Sequence, residues 1–424
     1  MGAISCIIAP RWLVPKCPRP SGSSARCIQL GAPPYQRCAA SYCLSPSVFP
    51  MLRPFLYSIA GLFVLVLLGY FTVAAPVADA RFNPKPEAPA APPSARAQAL
   101  HDSLLVADLH NDLLLWSRDP LERHDYGHTD VPRLRDGGVG LQVFAAVTQS
   151  PSGRSYAGTA GDSDQLPYLV AAQRWPVRTW TSRLERALYQ AQKLRRAVAR
   201  DDPLTLLRTR ADLDRTLDRR RDAPATMGTL LAIEGLHALE GTAANVDTLV
   251  DAGYRMMSLT HLHDNALGGS NTGLEKGGLT QFGEHVLRRM SAQNVLVDLA
   301  HASNALIEDV LTRTDAPVVV SHTGVRATCD TPRHLSDRHL RMIAAQDGVV
   351  GIGLWESVVC GESAAATARA MRHVATLVGV EHVALGSDYD GTVSVPFDAT
   401  GLPHLTEALL DAGFSPDEIE QIMG

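Results

Sequence analysis

The sequence predicts one α/β domain over residues 101–424, a (β/α)8 TIM-like barrel with a helical insertion between its second and third strands. An N-terminal transmembrane segment precedes it. Three observations carry this reading. Short continuous Val/Ile/Leu runs recur along the chain, as strands buried on both faces require. Helical patterns separate those runs, and that alternation calls for a parallel sheet with crossover helices. Several of the runs end on His, Asp or Glu, and a barrel of this kind carries its chemistry at the C-terminal ends of its strands.

Taken in order, residues 1–50 are rich in Cys and Pro, lack periodicity and read as a doubtful leader, with translation expected to start at Met51. Residues 55–75 are apolar and uncharged, long enough to cross a bilayer, and Arg53 on their upstream side favours a cytoplasmic N-terminus. A signal peptide cut among Ala74-Ala75-Pro76-Val77-Ala78 is the competing reading, but the length of the apolar core favours an uncleaved signal-anchor over residues 51–80. A Pro/Ala-rich linker over residues 81–100 follows. The first strand, residues 105–109, runs into His110-Asn111-Asp112, and the second covers residues 139–147. The insertion, about residues 150–225, holds an amphipathic helix through Leu184, Leu188, Ala191, Leu194 and Val198, with Arg195, Arg196 and Arg200 on a solvated face. Strand three (230–233) ends at Glu234, strand four (254–260) at His261, strand five (295–300) at His301 and strand six (317–321) at His322. Strand seven covers residues 348–354, and strand eight (382–386) ends at Ser387-Asp388. Helices are predicted over residues 281–290 and 364–378.

Composition narrows the function. A net charge of −5 gives no reason to expect a nucleic-acid partner, and Leu267-Gly268-Gly269-Ser270 lacks the spacing and lysine of a phosphate loop. Five cysteines (Cys6, Cys17, Cys27, Cys38, Cys43) lie in the leader. Cys329 and Cys360 remain, with no metal-finger spacing; they read equally as a disulfide of an exported protein or as two buried thiols. Any one histidine is better read as a satisfied core residue. His110 and Asp112, however, stand two apart and so on one side of an extended strand. Imidazoles and carboxylates gathered on one rim suit a divalent metal of the zinc type.

His110-Asn111-Asp112, Ile233-Glu234-Gly235, Leu259-Thr260-His261, Val297-Asp298-Leu299-Ala300-His301, Ser321-His322 and Gly386-Ser387-Asp388-Tyr389-Asp390-Gly391 together resemble, in order and spacing, the motif series of the renal (membrane) dipeptidase family. The resemblance covers roughly residues 101–424. It implies a zinc metallopeptidase with an amidohydrolase-like barrel that cleaves dipeptides and binds two Zn2+ per chain. By that resemblance His110 and Asp112 hold one zinc, His301 and His322 the other, and Glu234 bridges them. His261 polarises the substrate carbonyl, Arg333 binds the C-terminal carboxylate, and Asp388 handles the proton and the free amine. The resemblance also favours a Cys329–Cys360 disulfide. The chemistry is coherent: two zinc ions about 4 Å apart hold a hydroxide at neutral pH, a carboxylate accepts and returns its proton, and a guanidinium fork matches a carboxylate.

Departures from the family pattern are also legible. The chain stops at Ile422-Met423-Gly424, so the closing helix is expected to be incomplete, and Leu354-Trp355-Glu356-Ser357 does not reproduce the substrate contacts of animal relatives. His124, His128, His237, His263, His285, His334, His339, His373, His382 and His404 are read as ordinary polar or surface residues. The alternatives are another amidohydrolase-type reaction, against which His-x-Asp after strand one and a bridging glutamate speak, and a truncated, inactive, membrane-tethered binding protein. The expected partners are a dipeptide substrate and the membrane, through the N-terminal segment, with the catalytic domain on the exported (periplasmic or extracellular) side; a homodimer is compatible with the sequence.

Overall fold

The structure, a computed structural model, describes residues 49–424, with side chains from Pro54 onward. Residues 1–48 of the leader, with its five cysteines, fall outside the described residues. Nine strands lie along the described chain: β1 Val106–Asp108, β2 Val139–Val147, β3 Leu204–Leu206, β4 Met227–Glu234, β5 Tyr254–Ser258, β6 Leu296–Asp298, β7 Val319–Thr323, β8 Val349–Ile352 and β9 Val383–Leu385. Their order is β2-β1-β9-β8-β7-β6-β5-β4-β3, and β2 also pairs with β4. That last ladder, residues 141–147 against 228–234, closes eight parallel strands into a barrel. β3 stands outside it, paired with residues 227–229 at the start of β4, before β5 joins at Leu231. The eight-stranded barrel is thus the one the sequence predicts. The insertion carries a strand as well as helices, β3, which the sequence does not announce because Leu204-Thr205-Leu206 is too short to show a period.

Alternation along the strands sorts the core. Val143, Ala145, Ala232 and Met256 form a small cluster inside the barrel, while Phe144, Ala146, Leu231, Ile233 and Met257 join the larger layer beneath the helices. The insertion helix Arg183–Arg200 starts where the Ser182 hydroxyl accepts from Glu185 N–H, and it buries Ala187, Ala191, Leu194 and Ala197. Arg195, Arg196 and Arg200 on its other face are exposed. The two further predicted helices run Gln281–Ala292 and Ala364–Val378. The last helix, Pro416–Met423, opens on a Ser415/Glu418 capping box and buries Ile419, Ile422 and Met423.

At the N-terminal end a helix spans Phe49–Thr72, and its Pro54–Thr72 part has a mean hydropathy of 2.1 with none of it buried. A second helix, Ala74–Phe82, buries Asp79. The linker stretch is irregular only as far as Ser94, whose side chain caps a helix at Ala95–His101.

Candidate metal centre

The residues at the strand ends converge. Glu234 is the last residue of β4 and is turned inward by Gly235, which sits at φ 88° and donates its N–H to Ser258 Oγ at 2.9 Å. Glu234 Oε1 lies 2.9 Å from His301 Nε2, 3.3 Å from His322 Nε2 and 3.7 Å from His110 Nε2; Oε2 lies 3.0 Å from His261 Nε2. His110 Nε2 is in turn 3.6 Å from Asp112 Oδ1 and 3.8 Å from Asp388 Oδ1. Three overlapping groups result: His110, Asp112 and Asp388; His110, Glu234 and His322; Glu234, His261 and His301. Glu234 belongs to two of them. All five expected ligands are therefore gathered, with His261 and Asp388 at ligand distance beside them.

The polar shell fixes how these side chains present themselves. Ser321 Oγ donates to Asp298 Oδ2 at 2.7 Å, which leaves its lone pairs to accept from His322 Nδ1 at 2.9 Å and His110 Nδ1 at 3.3 Å. With a metal bound, both imidazoles would carry their proton on Nδ1 and offer Nε2 lone pairs to the centre. Asp108 does a similar service on the other side: it accepts from Ser387 N–H and Oγ and from Gln142 Nε2, tying β1 to the loop that carries Asp388. Gly386 has to be glycine, since a Cβ there would collide with the Ser321 carbonyl oxygen. His301 and Asp388 adopt left-handed backbone, φ 64° and 58°. Such strain costs on the order of 1–3 kcal/mol each and concentrates at functional sites.

These residues fit a divalent metal. His110 Nε2 and Asp112 Oδ1 are buried with no hydrogen-bond partner, and His301 Nε2 and His322 Nε2 lie 3.0 Å apart with both directed at Glu234. Burial works against the His110 cation, yet Asp112, Glu234 and Asp388 outweigh it and push the imidazole up to about 10. Burial likewise raises Asp112 to about 6, with the neighbouring Glu234 adding to the effect against His110. The site is a buried pocket of negative charge that calls for positive charge. Burial lowers His261, His301 and His322 well below the ordinary histidine value, keeping them in the neutral form a metal needs.

Arg333 is buried in the wall of the same cavity, reached from the loop after β7. Its guanidinium donates to the His322 carbonyl at 2.9 Å, and its Nη2 stands 3.3 Å from His301 Nε2. Cys329 and Cys360 form a disulfide with Cα atoms 5.4 Å apart, joining that loop to the one after β8. Several histidines read as ordinary prove to be buried: His128, His263, His334 and His339. His128 has a supporting part, since its backbone N–H donates to Asp390 Oδ1 and its Nδ1 accepts from Asp390 N–H. Asp108, Asp298 and Ser321 are the polar residues to which the sequence reading gave no role. Their signal is a carboxylate or hydroxyl one to three residues before a candidate ligand.

Barrel and rim define a metal-dependent hydrolase. The family model described as membrane dipeptidase, peptidase family M19, matches residues 94–424, and the chain belongs to that family of metallopeptidases. It is 30% identical over 341 residues to the dipeptidase aclJ of Aspergillus oryzae, covering 75% of each chain. It is 27% identical to human dipeptidase 3, covering 77% of this chain and 64% of that one, so it spans less than two thirds of the human relative's length. Among solved structures, a metallo peptidase from Rhodobacter sphaeroides liganded with a phosphinate mimic of the dipeptide L-Ala-D-Ala superposes with a TM-score of 0.62 at 24% identity, covering 76% of this chain and 96% of that one. At that identity the likeness speaks to the fold.

Proposed function

We propose that the protein is a zinc-dependent dipeptidase, with two metal ions held by His110, Asp112, Glu234, His301 and His322. The observation that carries this is Glu234, one oxygen facing three imidazole nitrogens and the other facing His261. Five such ligands are too many for one tetrahedral ion with an open position. A metal pair at such a site supplies a water acidified to near neutral pH and polarises the scissile carbonyl.

The chain's own groups do the rest. Asp388, 3.8 Å from His110 Nε2, takes the proton of the attacking water and returns it to the leaving amine. It also stands where a free α-amine is neutralised. His261 faces the developing oxyanion. Arg333 holds the substrate's C-terminal carboxylate through its planar fork. With both termini read, a dipeptide fits and a longer peptide does not. Burial of the site excludes bulk water and strengthens each of these contacts.

The test is metal analysis joined to hydrolysis of dipeptides by the detergent-solubilised full chain. About two zinc ions per chain are expected, with activity lost to chelators and restored by zinc. Full activity with one tightly bound metal would overturn the dinuclear reading, and hydrolysis of lactones or phosphotriesters in place of dipeptides would favour the other amidohydrolase chemistry.

A further inference from the structure

The cavity holding Glu234, His301 and Asp388 has a volume of about 1030 Å³. That is the upper end of what drug-sized ligands occupy, and far more than a dipeptide of small residues fills. One of its walls comes from before the family match, which begins at residue 94: Tyr70, Ala74, Ala78 and Phe82 line it. Ala74, Ala78 and Phe82 recur at helical spacing, so one face of the helix Ala74–Phe82 is turned to the cavity, while Tyr70 comes from the end of the helix before it. Phe82 packs against Trp116, ring centroids 6.5 Å apart, and Leu166 and Leu169 of the insertion complete an apolar surface.

This wall is bolted down by polar groups that have no other evident use. Asp79 is fully buried, accepts from Arg118 Nε at 2.7 Å and from Asn83 Nδ2 at 2.9 Å, and Arg118 also reaches Asp390 Oδ1 at 2.8 Å. Asn83 Oδ1 accepts from Thr392 N–H at 3.0 Å, and His128 Nε2 donates to the Pro84 carbonyl at 3.2 Å. Every one of these bonds leads, directly or in one step, to the loop after β9 that carries Asp388. A buried charged network of this kind is costly unless fully paired, and breaking one member is strongly destabilising. It therefore fixes the helix in one place.

We propose that the segment Ala74–Asn83 is a substrate-specificity element, the apolar wall of the subsite for the side chain of the dipeptide's N-terminal residue. The inference rests on the dipeptidase reading above. The N-terminal residue is the one reached because Phe82 contacts Trp116, whose Nε1 donates to the Asp390 carbonyl at 2.7 Å, two residues from Asp388, where the free amine is placed. Arg333 enters from a different loop, the one after β7, two strands away from β9. Large apolar side chains at the first position gain the buried surface that small ones leave open.

The experiment compares kcat/KM for Phe-Ala and Ala-Ala in the full chain, its Phe82→Ala variant and its Asp79→Asn variant. The parent is expected to favour Phe-Ala, and Phe82→Ala to lower the Phe-Ala to Ala-Ala ratio about tenfold or more. Asp79→Asn keeps the size of the side chain and weakens the bond to Arg118. It is expected to lower the same ratio and to speed tryptic cleavage at Arg81, mapped by mass spectrometry. An unmoved ratio in both variants, with dipeptides still turned over, overturns the wall and leaves the dipeptidase reading standing. A zinc-loaded parent that hydrolyses no dipeptide overturns both.

Discussion

At the scale of single residues, the centre depends on groups that never touch a metal. Ser321 orients His110 and His322 at once, so its loss frees two imidazoles to rotate or change tautomer. Ser321→Ala is expected to weaken zinc binding about 10- to 100-fold, the usual cost of a lost outer partner. Chelator competition would measure this, with circular dichroism to show the barrel intact; an unchanged affinity would refute the role. In the function proposed above, Arg333 acts on substrate instead. Arg333→Ala is expected to lose roughly 2–4 kcal/mol of transition-state binding for free dipeptides, expressed mainly in KM. C-terminally amidated dipeptides should be poor substrates of the parent. If the parent cleaves them as fast as free ones, the carboxylate contact is wrong.

Individual elements show how the chemistry is held in place, and how much of that can be read from residues alone. The clustering at the rim was legible because four strand ends each present a His, Asp or Glu, and a buried parallel strand announces itself as a run of Val, Ile and Leu. β3 was not legible, being three residues attached to the edge of β4. Nor was the helix Ala74–Phe82, whose Ala-rich sequence looks like the tail of an anchor and gains its place through residues distant in the chain, Arg118, Trp116 and Thr392. The helix Ala95–His101 carries a further lesson. His101 is buried, its Nε2–H donating to the Gly137 carbonyl at 3.1 Å and its Nδ1 accepting from Thr406 Oγ1 at 2.8 Å. That arrangement suits the neutral ring, and burial lowers its pKa, only partly offset by the Gly137 carbonyl and Asp102. A depressed pKa stabilises the fold above the ordinary histidine value of 6.5 and ceases to do so as the pH falls below it. The melting temperature is expected to drop on acidification through that range, and less steeply in His101→Gln. Equal slopes in the two proteins would remove His101 from the explanation.

The molecule as a whole couples an exposed apolar helix to a metal-dependent hydrolase domain. Among the described residues, Pro54–Thr72 is the one helix long and apolar enough to cross a membrane. The exported location of the barrel remains a proposal, supported by that helix and by the Cys329–Cys360 bond, which persists in oxidising compartments. The protein is expected to stay with membranes through an alkaline carbonate wash. Proteolysis in the irregular stretch between the helices ending at Phe82 and beginning at Ala95 should cut the chain yet release the barrel domain only once denaturant breaks the Asp79–Arg118 network. Recovery of the intact chain in the soluble fraction would count against an anchor.

The docking of Asp79 on Arg118 would tie any processing of the N-terminal segment to the proposed active site. A leader peptidase cutting anywhere within Ala74–Ala78 would strip small side chains from the active-site cavity. It would also place a new ammonium within a turn or so of Arg118, where like charge is unwelcome. The site of processing would then be a setting of substrate range, and two populations of the same gene product, cut and uncut, would differ in which dipeptides they consume. N-terminal sequencing of the native protein decides which form the cell keeps.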